Sequence, residues 1–576
     1  MLGREAAALS CFARAGVDIR PVSVPFTLAT GQRAVAITGA RIAGATEPRG
    51  RCGQSDGRKH RMGTTKRPSI VGERGAIFWG ACAAIAVGVL LHLPMLAMAH
   101  EVGNHLAGMP MDPEMWFGMV FIVLGVPAAI YGALPKHRAP HGSHAGTSYE
   151  APDSTPLGKW HAAVLAVLIL GLVIDVMKPA TLGFVLPGMS SEYGISRATV
   201  AWFPFVALVG TTLGSFVWGW LADVYGRRVS ILLSTILFVA TSICGAMPAF
   251  ELNLLMCFLM GSSAGGMLPV VYTLLAEVMP PKHRSWVLVL VGGTGLVGGY
   301  LAASATAHAF EPVFGWRVLW LQGFPTGILL LLLARFIPES PRFLAEQGRM
   351  QEIEEMRVKY GIEPRPRQPA PPDAEVAAQR HGRLTLALVI SALAWSFVNF
   401  GLLLWLPSDL QSRGYSSELA SGIIASSALL ALPTIMFAAW LYARWSSKWT
   451  LVGTILVTLA GLVGALLPVP LLSWPPLLVA VIALLIVGTN GMIAVLLPYA
   501  AENYPLGVRG RATGLVAGAS KFGGVAVQGF ALVGLIPTLG GAALALLVPM
   551  GASAALVAWA GRETRGRSLR ELEAGT

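Results

Sequence analysis

Long apolar runs with few or no charges constrain this chain more than any other feature. Ile77–Ala99, Phe117–Leu134, Ala162–Leu186 and Ala480–Tyr499 are each long enough to cross about 30 Å of hydrocarbon at about 1.5 Å per residue. Of the 576 residues, 54% are hydrophobic and only 12% charged, and the mean hydropathy is +0.63. A soluble domain carries about 25% charged residues, so a water-soluble fold cannot hide this much apolar surface. The runs read as membrane-spanning helices, about fourteen in all, two before residue 136 and about twelve between Trp160 and Ala560.

The net charge of +12 is unevenly placed. Thirteen Lys and Arg against five Asp and Glu precede Gly75, which puts +8 in the N-terminal tail. A basic tail ahead of a first membrane helix follows the positive-inside rule, and no nucleic-acid partner is implied. Residues 1–74 lack periodicity and signal-peptide order, so they read as a disordered cytoplasmic tail, with translation from Met62 as an alternative start. Cys11, Cys52, Cys82, Cys244 and Cys257 are scattered without a Cys-x-x-Cys pair, which indicates neither a disulfide framework nor a zinc site.

Lys and Arg recur at Lys136–Arg138, Arg227–Arg228, Lys282–Arg284, Pro338–Arg383, Arg444–Lys448, Arg509–Arg511 and Arg562–Arg570, which are alternate loops. This places both termini in the cytoplasm of a multi-pass protein of the cell (inner) membrane. The segments are an extra helix pair at 75–135, a cytoplasmic linker at 136–159, a six-helix bundle at 160–337, a polar cytoplasmic loop at 338–383, a second six-helix bundle at 384–561 and a tail at 562–576. The bundles echo each other: Glu277 precedes Arg284 by seven residues, as Glu502 precedes Arg509, with an offset of 225 between the pairs (502 − 277, 509 − 284). Internal repeats of this kind mark transporters.

Gly219-Trp-Leu-Ala-Asp-Val-Tyr-Gly-Arg-Arg228 resembles the motif of the major facilitator superfamily between the second and third helices of its first half. Pro338-Glu-Ser-Pro-Arg-Phe-Leu344 and Glu563-Thr-Arg-Gly-Arg-Ser-Leu569 are similar to signatures that follow the sixth and twelfth helices in its sugar-porter and metabolite–proton symporter branch, with Arg562 where the branch has proline. The resemblance covers about Trp160 to the C-terminus. It implies an all-α polytopic membrane protein of two six-helix bundles, here preceded by an additional helix pair, and an alternating-access carrier driven by a proton gradient rather than by a cofactor or metal. Its partners are then a small-molecule substrate and the lipid bilayer, and the expected state is a monomer.

These residues suit a cytoplasmic gate. Gly219 and Gly226 permit a tight turn, and Asp223 can meet a helix N-terminus or an arginine across the interface between halves. Arg227, Arg228, Glu277, Arg284, Glu339, Arg342, Glu502 and Arg509 supply the rest of a charge network that breaks when the protein turns inward. The competing reading is that these charges only satisfy topology and snorkel to water, but charge near a membrane is costly and commonly functional. The second-half counterpart, Trp440–Lys448, lacks the Asp and Gly, which predicts a weaker gate there. Cys257 stands where the family often carries arginine, and Gly292–Gly299 lacks the Gly-Pro pair of drug–proton antiporters, which favours uptake over export.

Asp175-Val-Met-Lys-Pro179 places two ionisable groups three residues apart inside an apolar run, where charge needs a reason. Pro179 predicts a kink or break that exposes backbone acceptors. The expected coupling has a substrate carboxylate take Lys178 and release Asp175 to bind a proton; the alternative is a static ion pair. Lys521 lies near mid-membrane as a second cation, and Asn399, Asn490 and Gln528 are amides able to read a solute or to bridge helices. Two deep cations favour small carboxylates over neutral sugars. His92, Met95, Met98, His100, His105, Met109 and Met111 crowd the outer loop of the extra pair, a composition that suits copper(I) or plain packing. The sequence thus reads as a secondary active, proton-coupled symporter of a small metabolite, an organic anion or a sugar. Drug or metabolite efflux and a non-transporting membrane sensor are the alternatives. With no nucleophile–base pair or complete metal set, the chain is not read as an enzyme.

Overall fold

In hydrocarbon the backbone must satisfy its own hydrogen bonds, so apolar runs of this length become helices. The computed structural model describes residues 74–101, 103–134, 147–366, 382–504, 506–535 and 538–564, all within one unit, Arg67–Thr576. The basic tail with its Met62 start, His137, His141 and His144 of the linker, and the residues after Thr564 lie outside the described residues. Fourteen described helices are long and apolar enough to cross a membrane. Gly75–Met98 and Pro113–Ala133 form an N-terminal pair. Core helices 1 to 6 are Lys159–Tyr193, Arg197–Tyr225, Arg227–Ala246, Phe250–Val278, Pro281–Phe314 and Val318–Phe336. Core helices 7 to 12 are Gly382–Ser412, Ser417–Arg444, Ser447–Ala465, Pro475–Asn503, Ala512–Leu532 and Leu539–Ala560.

The polar insertion follows core helix 6, and its end of the bundle is termed the insertion end; the opposite one is the far end. Core helix 5 packs along core helices 1 and 8, and core helix 11 along 7 and 2, so that 5 with 8 and 2 with 11 join the two halves. Within the insertion, helices Pro341–Glu346 and Met350–Tyr360 precede a strand, β2 (Glu363–Pro366). It pairs antiparallel with β1 (Thr147–Glu150) of the linker, Glu150 opposite Glu363. The linker is thereby sewn to the insertion.

The N-terminal pair closes on small residues, as membrane helices do. A Cβ on Gly88 or Gly118 would lie 2.7 Å from the other's carbonyl oxygen, so these backbones touch. The pair rests against core helix 3. Core helix 1, in which Pro179 predicts a break, instead runs unbroken through Pro179 and Pro187. Thr181 Oγ1 donates back to the Met177 carbonyl at 2.9 Å within that stretch, and neighbouring helices hold the rest of the turn in place. The irregular backbone lies in core helix 7, where Phe397–Leu403 takes a π-helical turn, a form concentrated at functional sites.

Candidate functional site

The two charges of core helix 1 point apart. Lys178 is fully buried, and its Nζ donates to the Phe238 carbonyl and to Thr241 Oγ1, both at 2.7 Å, 4.5 Å from the Phe238 ring centroid. These acceptors stand where core helix 3 tightens into a 3-10 turn, Thr241–Ala246, which frees carbonyls for an outside donor. The expected Asp175–Lys178 pair is therefore absent: Lys178 fastens core helix 1 to core helix 3. Asp175 is 6% exposed, and the charge that acts on it is Lys521 of core helix 11, in the other half. Neither has a hydrogen bond or ion pair, with the other or with a third group, among the described residues. Lys521 sits on the flank of its helix away from Leu515 and Phe522, which are 53% and 65% exposed.

The amides divide. Gln528 is fully buried, donates to the Phe400 carbonyl at 2.6 Å and accepts from Trp405 Nε1 at 3.3 Å. It thus satisfies a carbonyl of the π-helical turn, the helix-bridging role that an amide can take there. Asn490 donates to Ile486 of its own helix at 3.0 Å, which likewise fits packing. Asn399, half-buried within the π-helical turn, has no side-chain hydrogen bond among the described residues. Asp175, Lys521 and Asn399 thus remain the uncommitted polar groups of the predicted set.

At the insertion end the first-half network is built around two carboxylates. Gly226 ends core helix 2 at φ 103°, and a Cβ there would strike the Glu339 carboxylate. That close approach lets Glu339 Oε1 accept from the backbone N–H of Arg227 at 2.7 Å, Arg228 at 3.3 Å and Ser340 at 2.9 Å. A carboxylate thus caps core helix 3 at the positive end of its dipole. Burial pushes the Glu339 carboxyl up, while the N–H groups of Ser340, Arg228 and Arg227 pull it back down. Arg227 bridges Glu277 at 3.2 Å and Asp223 at 3.3 Å.

Three expectations need correction. Asp223 pairs within its own half rather than across the interface, because Arg227 lies one helical turn away. Gly219 sits inside core helix 2 with open space where a Cβ would stand, so the turn depends on Gly226 alone. Arg342, 61% exposed, bonds Glu346 at 3.1 Å, its neighbour one turn along a surface helix, and reaches Glu277 of the network only through its charge. Arg284 remains buried in the first half beside Glu150, Asp153 and Glu277, and the Nε atoms of Arg228 and Arg284 have no partner among the described residues.

The second half repeats the cap with different residues. Glu563 accepts from Ser447 N at 2.9 Å and Ser447 Oγ at 2.7 Å, and also bonds Ser446 Oγ, at the start of core helix 9. Its offset from Glu339 is 224 (563 − 339), close to the repeat of the Glu–Arg pairs, a signal that would have identified it. Glu502 accepts from Tyr442 and Thr564 hydroxyls, both at 2.7 Å. Arg509 lies in helix Leu506–Leu532, with its side chain outside the described set.

Each of these networks closes within its own half. Cross-half hydrogen bonds sit toward the far end instead: Arg197 to the Ser408 carbonyl at 3.2 Å, Tyr300 to the Leu403 carbonyl at 3.1 Å, and His308 with the Glu418 carbonyl at 2.9 Å. The far end is thus where hydrogen bonds hold the halves together. There too, Glu192 meets Arg317 at 2.6 Å and accepts from Leu106 N and Ala107 N at 2.7 and 2.9 Å, docking the loop of the N-terminal pair on the first half. His105 faces Glu192 at 3.5 Å and His92 bonds the Gly88 carbonyl at 2.7 Å; no group of three His, Cys, Asp or Glu among the described residues is placed to hold a metal.

Comparison with known proteins places this arrangement. The niacin transporter NiaP of Acinetobacter baylyi is 26% identical over 73% of this chain and 98% of its own length. The 4-hydroxybenzoate transporter PcaK of the same species is 26% identical over 65% of this chain and 84% of its own. A partially occluded, inward-open structure of the xylose transporter XylE from E. coli superposes with a TM-score of 0.56 at 16% identity, covering 71% of this chain and all of that one. Residues 163–528 match the profile of the Major Facilitator Superfamily, from core helix 1 to core helix 11 and excluding the N-terminal pair. This multi-pass membrane protein belongs to the Major Facilitator Superfamily, as a transporter.

Proposed function

We propose that the protein carries a small aromatic carboxylate together with a proton across the cell (inner) membrane by alternating access. The observation that carries this reading is the placement of Asp175 and Lys521, opposite charges within membrane-spanning helices of different halves, neither of them with a hydrogen bond or ion pair among the described residues. An empty site holding both charges is neutral. When a substrate carboxylate takes Lys521 and Asp175 takes a proton, the loaded site is neutral again, so neither form carries a bare charge through the low-dielectric interior. Lys521, rather than Lys178, is the anion contact in this scheme, and Asn399 is the group placed to read a ring substituent. The named substrates of the two relatives, niacin and 4-hydroxybenzoate, are both aromatic rings bearing a carboxylate, which supports the substrate class.

The insertion end faces the cytoplasm in this reading, as do both termini, because the Lys and Arg clusters fall there. The conformation with its halves bonded at the far end then belongs to the inward-facing side of the cycle, and the two helix-capping glutamates are parts of the gate that reorganises on the return. One chain supplies both halves and the proton gradient supplies the work, so a monomer without cofactor suffices. The N-terminal pair, the linker and the tail are additions to the twelve-helix carrier.

The test is substrate-driven proton uptake into proteoliposomes of the full chain, with nicotinate and 4-hydroxybenzoate against xylose. Acidification with either carboxylate and none with xylose is expected. Acidification with xylose alone would overturn the substrate class, and carboxylate uptake without proton movement would overturn the coupling.

A further inference from the structure

At the far end of the interface between the halves an open cleft of about 250 Å³ lies between the end of core helix 1, the start of core helix 2 and the end of core helix 7. Its walls combine apolar Leu186 and Pro187, the Trp405 ring, one guanidinium, that of Arg197, and the polar Gln411 and Ser191. Three arginines and no lysine stand at this end among the described residues. Arg317 is neutralised by Glu192 at 2.6 Å, and Arg413 by Asp409 at 2.8 Å. Arg197 has no carboxylate partner among the described residues: its one hydrogen bond goes to the Ser408 carbonyl at 3.2 Å. A guanidinium offers five donors in a planar fork, and most of those of the exposed Arg197 are left to solvent or a ligand.

A cleft of this volume lies below the usual range for drug-sized ligands, which suits a single ring. Trp405 and Pro187 give the cleft apolar walls, and the fork of a guanidinium matches a carboxylate bidentately. The wall also leads inward. Trp405 donates to Gln528, and Gln528 to the Phe400 carbonyl, so the cleft is two hydrogen bonds from the π-helical turn that holds Asn399.

We propose that this cleft is a vestibule site for small aromatic carboxylates, where Arg197 holds the carboxylate against Trp405 on the path between the far side and Lys521. The proposal rests on the reading of the protein as a carboxylate carrier. A carboxylate bound here also competes with the Ser408 carbonyl for Arg197, and so weakens one of the bonds that hold the halves together at the far end.

Equilibrium binding of radiolabelled nicotinate and of 4-hydroxybenzoate to the purified full-length chain tests it. Two equivalents per chain are expected. Arg197→Gln weakens one of them at least tenfold and leaves the other, whereas Lys521→Gln does the reverse. Arg197→Lys keeps the charge without the fork and weakens the vestibule site less than Arg197→Gln does. Ser191→Trp, at the exposed rim, fills the cleft and blocks that site without touching Arg197, which keeps the test informative if Arg197→Gln folds poorly. A single equivalent, lost in Lys521→Gln and unmoved by Arg197→Gln and Ser191→Trp, overturns the vestibule while the central reading stands. Absence of binding by either probe to the wild type overturns the carboxylate reading and the vestibule with it.

Discussion

Asp175 and Lys178 are three residues apart on one helix, yet they serve opposite neighbours. Helical spacing puts two Cα atoms on adjoining flanks, but a lysine stem reaches far enough for its end to be claimed by whatever acceptors lie nearby. Here the carbonyl of Phe238 and the hydroxyl of Thr241 claim it, and no pattern in core helix 1 announces a 3-10 turn in core helix 3. The depth of Asp175 and Lys521 was therefore legible in the sequence, whereas their partnership was not. Lys178→Met is expected to remove the charged donor from the Phe238 carbonyl, leaving it the Thr241 hydroxyl at 3.1 Å, and to cost about 1–3 kcal/mol of stability, read as an earlier thermal unfolding of purified protein, with proton coupling retained. Loss of coupling at unchanged stability would restore Lys178 to the transport site. The two glycines of the loop motif make a second contrast. Gly226→Ala places a Cβ at φ 103° against Glu339, strain of about 1–3 kcal/mol before the clash is counted, and should sharply reduce folded yield. Gly219→Ala lies in an open stretch of helix and should stabilise by up to about 1 kcal/mol.

Among elements, the two capping glutamates explain how a repeat survives divergence. The first half caps core helix 3 with Glu339 after a glycine turn, and the second caps core helix 9 with Glu563 through Ser446 and Ser447. The same electrostatic task, an anion on a helix N-terminus, is met by different loops. The weaker second-half gate suggested by the missing Asp and Gly overlooks Ser446 and Ser447, because serine reads as an ordinary loop residue until its partner is known. Removal of either carboxylate, as Glu339→Ala or Glu563→Ala, is expected to cost about 1–2 kcal/mol in thermal stability, the size of a lost helix cap, and to slow transport. Equal transport rates in wild type and both variants would dismiss these caps as gate parts. The irregular turn expected at Pro179 lies instead in core helix 7 as a π-helical turn, which ends four residues ahead of Pro407, whose missing N–H leaves the Leu403 carbonyl to the Tyr300 hydroxyl.

For the molecule as a whole, the fourteen spans and the division into six plus six were legible, because hydropathy and loop charge are dictated by the bilayer. The seat of the N-terminal pair was not, since an apolar face against lipid and one against core helix 3 look alike in composition. The packing of both its helices on core helix 3 and the Glu192 clamp on its loop tie this pair to the first half. It should move with that half as one body. Spin labels at exposed Val123 and Leu255 should keep their distance when substrate is added, while labels at Val123 and Leu430, in the other half, should change theirs; the reverse pattern would detach the pair from the first half. Whether Asp175 carries the proton opposite Lys521 is decided by comparing wild type and Asp175→Asn in proteoliposomes loaded with nicotinate. Asp175→Asn should keep nicotinate exchange at equal pH and lose accumulation driven by a pH gradient. Gradient-driven accumulation at the wild-type level in Asp175→Asn would remove the proton from Asp175, and the coupling scheme with it.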